Sequence, residues 1–274
     1  MLEALAALTK ALLYGALLTA SGAPLAAASL RLSDPPRDYL LRIMRTAAIA
    51  AIALNLLVTA LLFIRLGGSF DEPTFNAMFS SGPGAALLLQ LTGAALLLTP
   101  ADNDSSGHAW RITAAIAMTA SAAFSGHAAA VSLPAGLLGM AHVTGAAWWV
   151  ASLWLLRRAC ISAEGDELVQ LVARFSWLAI RIVAGLIALG VALIVVLVNF
   201  DESPWRTDYV QTLALKLVFV ALVLGFAIHN KLQLTPRLPR EAAALRRSID
   251  FELAAIASVL LITAVLTTYF APEQ

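Results

Sequence analysis

Four histidines occur in the 274 residues, and two of them, His127 and His142, flank the turn signal Ser132-Leu133-Pro134-Ala135-Gly136 inside one charge-free run. Antiparallel helices joined by a tight turn hold residues on either side of it at similar depth, which brings both imidazoles to one end of a bundle. Neighbouring imidazoles suit copper, zinc or haem iron. The alternative is that each imidazole only bridges helices by hydrogen bonds or sits at an interface. His142, Gly145, Ala146, Trp149 and Leu153 keep the three-four spacing of a single helix face, so small residues admit a close neighbour beside the histidine. Trp149 lies two turns deeper; its plainer reading is a packing aromatic, with Trp148 and Trp154 on lipid-facing sides.

Lys216 is the third chemical candidate. The charge-free stretch 217–230 is 14 residues, too short to cross a bilayer, so its helix must begin near Tyr209 and carry Lys216 inward. An ionisable group at that depth needs a partner or a water-filled cavity, unless it snorkels to the outer interface. His108, outside a helix, and His229 fall on the inner side, about one membrane thickness from His127, and read as interfacial. Arg174 and Arg181 read as anchors to lipid phosphates. Met118 and Met140 sit nearly opposite the histidines on their helices, so no methionine stripe accompanies them. Cys160, alone in the chain, excludes internal disulfides and multi-cysteine metal sites and reads as a small apolar filler.

The elements that must position these residues follow from composition. The chain is 60% hydrophobic and 13% charged, far from the roughly one-quarter charged content of a soluble domain. Apolar runs extend from end to end, so the lipid bilayer is the solvent. The charge-free stretches are 11–30, 46–64, 73–101, 112–156, 182–200, 217–230 and 253–272. The fourth, 45 residues long, is twice the length of one crossing and folds at 132–136 into a hairpin. The expectation is all-α: a polytopic bundle of eight transmembrane helices forming one domain over 1–274, with four helices in 1–131 and four in 132–274. The first run lacks a basic leader and exceeds a signal-peptide core, so it reads as a span. The loop 232–247, with Pro236 and Pro239, has room for a short interfacial helix.

Loop charges set the orientation. Thirteen basic residues, among them Arg31, Arg42, Arg111, Arg158, Arg174 and Arg247, lie on one side. The other side holds Lys10, Arg65 and Arg206, while Asp71, Glu72, Asp201, Glu202 and Glu273 collect there. By the positive-inside rule both termini and the 132–136 turn face outward. A net charge of +1 gives no footprint for nucleic acid. No phosphate loop, HExxH, CxxC or nucleophile elbow occurs, which argues against a nucleotide-driven pump, and we expect no enzyme activity.

At these residues the chain resembles the copper resistance D family of bacterial inner-membrane proteins. The resemblance rests on Gly126-His127-Ala128 with His142 and Trp149, on Arg174-Phe175-Ser176, and on Tyr209 and Lys216 followed by Asn230-Lys231 and Pro236. It covers roughly 125–238 well, with the family-like C-terminal part beginning at about 170. The first half matches in hydropathy and in Lys10-Ala11-Leu12-Leu13-Tyr14. Members often carry Val-Gly-Gly after the tryptophan, where Val150 is here followed by Ala151 and Ser152. The resemblance implies multi-pass residence in the bacterial inner membrane with both termini periplasmic, and copper ion uptake in company with a periplasmic copper-binding protein of the C type. His127 and His142 are its implied copper ligands, with Trp149, Lys216 and Tyr209 around them or along a pathway. A third ligand is needed, and Met78 and the N-terminal amine are the candidates. Two other functions stay open: a membrane haem protein for electron transfer, which two histidines in one hairpin fit poorly, and a non-conducting docking partner of the copper chaperone.

Overall fold

The computed structural model describes residues 2–65, 72–101, 105–163, 165–198 and 208–270. Arg206, Asp71, Asp201, Glu202, Glu273 and the N-terminal amine lie outside the described residues. All regular structure among the described residues is helical: α1 (Leu2–Leu30), α2 (Asp34–Arg65), α3 (Glu72–Phe79), α4 (Gly82–Leu98) and α5 (Ser105–Ala120), then α6 (His127–Val131), α7 (Leu133–Ser162), α8 (Gly165–Leu197), α9 (Asp208–His229) and α10 (Ala242–Tyr269).

Five helices are long and apolar enough to cross a membrane: α1, α2, α8, α9 with its extension to Arg237, and α10. Of the eight spans expected, α4 is apolar but 17 residues long, and α5 has 16 residues. α7 has the length, 30 residues, without the hydropathy. Its position explains the difference. Seven consecutive residues of α7, Ala147 to Leu153, are buried, so all its faces meet protein there and apolarity toward lipid is not required. It packs against α1, α2, α5, α6, α8 and α10. On the periphery, α8 and α9 leave Ile180, Val191, Val195, Val218 and Leu222 exposed, the pattern of helices that face hydrocarbon.

The start of α1 meets the ends of α2 and α10, through Glu3 with Arg65 at 3.6 Å and Lys10 with the Thr267 carbonyl at 3.0 Å. This is the terminal end of the bundle. The opposite, arginine-rich end holds a cleft of about 1390 Å³ lined by Arg31, Arg42, Arg45, Arg111, Arg158 and Arg174, with Asp34, Asp38 and Glu167 among them.

Three sequence expectations are corrected. The hairpin in the fourth run does not turn at 132–136: α5 stops at Ala120, a single 3₁₀ turn covers Ser121–Ala123, and Gly126 takes φ +85°. That left-handed backbone favours glycine and redirects the chain. Ser132 then caps α7, its Oγ accepting from the Ala135 N–H at 3.3 Å, with Pro134 in the first turn, so 133–136 is already helix. His127 therefore opens the short helix α6 instead of ending a span. His108 lies within α5, because that helix begins seven residues before the charge-free run. Trp148 is buried, not lipid-facing, and its Nε1–H donates to Ser29 Oγ at 2.8 Å. Trp154 is half-buried and packs against the cluster of Leu18, Ala147 and Val150. Cys160 is a half-buried free thiol against the core, as a filler should be. After α9 the chain makes a wide π turn (Asn230–Leu234) and a 3₁₀ turn (Thr235–Arg237) where an interfacial helix had room.

α1 approaches α7 closely at Gly22, where a side chain would meet the Ala147 carbonyl and the Ala151 methyl. Gly185, on α8, has open space around it. Gly22→Val is expected to destabilise the protein by about 1–3 kcal/mol through overpacking, and Gly185→Val to leave it unchanged. Thermal unfolding in detergent, followed by circular dichroism, measures both.

Candidate functional site

Polar side chains gather at three depths along α7. The first is at the terminal end. His127 is half-buried, and its Nε2 lies 3.3 Å from the Leu266 carbonyl. A carbonyl can only accept, so Nε2 carries the proton and Nδ1 keeps its lone pair. The ring meets Tyr209 edge-on, centroids 5.5 Å apart at 83°. The next carbonyl, Thr267, takes the Lys10 ammonium, and the Tyr14 hydroxyl bonds Thr267 Oγ1 at 3.1 Å. These carbonyls belong to the last turn of α10, where the helix dipole favours cations; that of Leu266 also accepts from the Phe270 N–H at 3.2 Å. The end of α10 thus orients both the histidine and the lysine.

The second level, nine residues into α7 and about 14 Å along it, is His142. Its ring faces α8 beside the Leu186 carbonyl and Gly190, and Lys216 of α9 is within electrostatic reach. A Cβ at Gly190 would lie 3.7 Å from the ring's Cε1, an ordinary contact. Nδ1 of His142 is buried with no hydrogen-bond partner.

The third level is one the sequence reading missed. Trp149, 7% exposed, donates from Nε1 to Oε1 of Glu252 at 2.9 Å, and Asn230 Nδ2 donates to Oε2 at 3.0 Å. Glu252 is 1% exposed, the one buried acid among the described residues. Phe175 packs against both tryptophans, stacked on Trp148 at 5.6 Å and tilted against Trp149 at 5.7 Å. The signal existed. Glu252 lies ten residues into a 28-residue helix, on the buried stripe Leu245, Ser248, Ile249, Glu252 and Ala255. Counting only the charge-free run 253–272 hid it.

The candidates therefore divide. His127 meets Tyr209, and His142 has Lys216 within electrostatic reach, whereas Trp149 belongs with Glu252. Among the described residues no hydrogen bond or ring contact joins the two imidazoles, and no group of three or more His, Cys, Asp or Glu side chains is placed to hold a metal. Met78, in α3, is half-buried, and its carbonyl accepts from Ser81 Oγ. Of the residues read as interfacial, His229 is exposed at the end of α9, and His108 lies beside Arg37 and Arg111. Arg174 bonds the Arg31 carbonyl at 3.2 Å, and Arg181 covers the Trp177 ring at 3.7 Å.

Two family models match the chain: the copper resistance protein D-like N-terminal domain over residues 1–140, and copper resistance protein D over residues 169–266. The chain belongs to the copper resistance protein D family. It is accordingly a multi-pass membrane protein of copper handling, in agreement with its long apolar helices. The first match ends inside α7 and the second begins in α8, so all three polar levels draw on residues from the matched segments. No curated protein and no solved structure matches the chain.

Trp149→Phe keeps an aromatic ring against Phe175 but leaves Oε1 of Glu252 without its donor. A loss of about 1–3 kcal/mol is expected, the cost of a buried polar atom left unpaired. Thermal unfolding of the purified variant measures it, and a change within error would show that Oε1 finds another partner.

Proposed function

We propose that this protein takes up copper across the bacterial inner membrane, with His127 and His142 as its copper ligands. It does so as a carrier and not as an enzyme. The observation that carries the reading is that each histidine has an uncommitted Nδ1. His127 directs Nε2–H to a backbone carbonyl, and His142 buries an Nδ1 that bonds nothing. A metal-binding histidine usually has this arrangement, one nitrogen oriented by a carbonyl and the other free for the ion. Membership in the copper resistance protein D family makes copper the expected cargo. Imidazole nitrogen suits copper, and the Met78 thioether is a soft donor for the same ion.

In this reading α1, α2, α4, α5, α7, α8, α9 and α10 are eight crossings. The terminal end with its His127 faces the periplasm, and the arginine-rich end faces the cytoplasm, as the positive-inside rule requires. Copper arrives from a periplasmic copper-binding protein of the C type at the end where His127 lies.

The purified protein reconstituted into proteoliposomes is expected to import copper. In His127→Ala/His142→Ala, both uptake and bound copper fall to the background of empty vesicles. Unchanged copper stoichiometry in the double variant refutes the ligand assignment. Binding without flux in the unsubstituted protein would favour a docking role, and a Soret band in its absorbance spectrum would favour haem. The orientation has its own check. In a Cys160→Ser background, a membrane-impermeant thiol reagent is expected to label Ser80→Cys in intact spheroplasts, and Ser33→Cys only after lysis. The reverse labelling inverts the protein.

A further inference from the structure

Glu252 has no part in holding copper, yet it is enclosed as completely as any side chain in the bundle. Both its oxygens accept hydrogen bonds from neutral groups, the Trp149 indole and the Asn230 amide. The charged and titratable groups on the elements packed around it are engaged elsewhere or exposed. On α7, Arg157 pairs with Asp250 of α10. On α10, Arg246 and Arg247 are exposed. On α1, Lys10 and Tyr14 are bound to Thr267 at the far end. On α9, Lys216 precedes Asn230 by fourteen residues, about 21 Å of helix, and His229 and Lys231 are exposed. Across the Trp149 ring, Arg174 of α8 bonds the Arg31 carbonyl. Among the described residues no ion pair includes Glu252.

A carboxylate buried without a counter-ion is costly in a low-dielectric interior, and the ordinary relief is to bind a proton. A protonated carboxyl, however, becomes a donor and needs an acceptor. Asn230 supplies one. Its Oδ1 is buried and bonds nothing. In the ionised state Nδ2–H donates to Oε2, as observed. Half a turn of the amide about its Cβ–Cγ bond presents Oδ1 instead, and the Oε2–H of the protonated acid donates to it. The same two residues satisfy either charge state with no other side chain moving.

The position of Asn230 gives the proton a route. It opens the π turn Asn230–Leu234, and its carbonyl accepts from Thr235 Oγ1 at 2.8 Å. π turns widen a helix and concentrate at functional positions. Exposed His229 and Lys231 flank it, so the amide lies at the arginine-rich end next to residues that no other part of the protein covers. We propose that Glu252 is an exchangeable proton-binding site inside the bundle, with the Asn230 amide as its two-state partner. The proton comes from water at the arginine-rich end and returns there. The proposal draws on neither copper ligand.

Infrared difference spectroscopy of the full chain in lipid nanodiscs, titrated from about pH 5 to about pH 9, spans the range in which a buried carboxyl titrates. Wild type is expected to show a protonated-carboxyl C=O band that fades as pH rises, and Glu252→Gln to lack it. Asn230→Ala, which removes the acceptor of the protonated state and the donor of the ionised one, is expected to keep the band, shift its frequency and move its midpoint by about one pH unit. That shift assigns the band even where Glu252→Gln does not fold. The proposal is overturned if the band is the same in all three proteins, if it does not change with pH, or if it appears only when sodium is withdrawn.

Discussion

Hydrocarbon offers no water, so a polar group within it must find a partner in the protein or cost several kcal/mol. Most polar side chains within the helices meet this demand locally. Ser21, Thr144, Thr263 and Thr267 each donate to a carbonyl four residues back. The others reach across the bundle and tie helices together: Trp148 to Ser29, Trp149 to Glu252, Gln90 to Ser121, and Lys10 to the end of α10. Where nearly everything is paired, an unpaired atom carries information. Six such atoms are buried among the described residues, and His142 Nδ1 and Asn230 Oδ1 are the two that offer a lone pair from an imidazole or an amide.

The same demand decides which helix sits where. α7 carries the histidine, three tryptophans and two arginines, and only a central position surrounds it with partners. α8 and α9 carry little that needs a partner on their outer faces and cover the outside. Small residues make the centre possible. Gly22 lets α1 reach the α7 backbone, and Gly145 does the same for Leu186 of α8. Toward the arginine-rich end, the Arg157–Asp250 pair holds α7 to α10 below Glu252. The pair ties together the two helices between which the carboxyl lies.

Hydropathy made the lipid-facing helices legible, because α2, α8, α9 and α10 announce themselves by long apolar runs. The arithmetic that a 14-residue run cannot cross placed the start of α9 near Tyr209, and the helix begins at Asp208. What a charge-free run cannot reveal is where a helix extends through charged residues. His108 and Glu252 were misplaced or overlooked for that one reason. The 132–136 motif contained proline and glycine and was read as a turn, but proline at the first turn of a helix and a serine cap before it are equally the signature of a helix start. Which imidazole nitrogen is free is a matter of tertiary contacts with Leu266 and α8, and no spacing encodes it.

One further regularity links the three levels. α9 and the π turn that follows it contribute a polar residue to each: Tyr209 beside His127, Lys216 within electrostatic reach of His142, and Asn230 beside Glu252. Tyr209 and Lys216, seven residues apart, share one face of α9 with a drift of about 20°, and Asn230 follows fourteen residues later, just past the helix, at a total drift of about 60°. α7 repeats the interval, with Trp149 seven residues after His142. The polar face of α9 therefore runs the depth of the bundle opposite the histidines and the carboxyl, while its other faces meet lipid. Charge is ordered along it. For a cation held at His142, Lys216 lies at the same depth and Glu252 deeper, and an ionised carboxylate about 10 Å further in attracts it by roughly 2 kcal/mol at an effective dielectric constant of 20. A protonated Glu252 exerts no such pull.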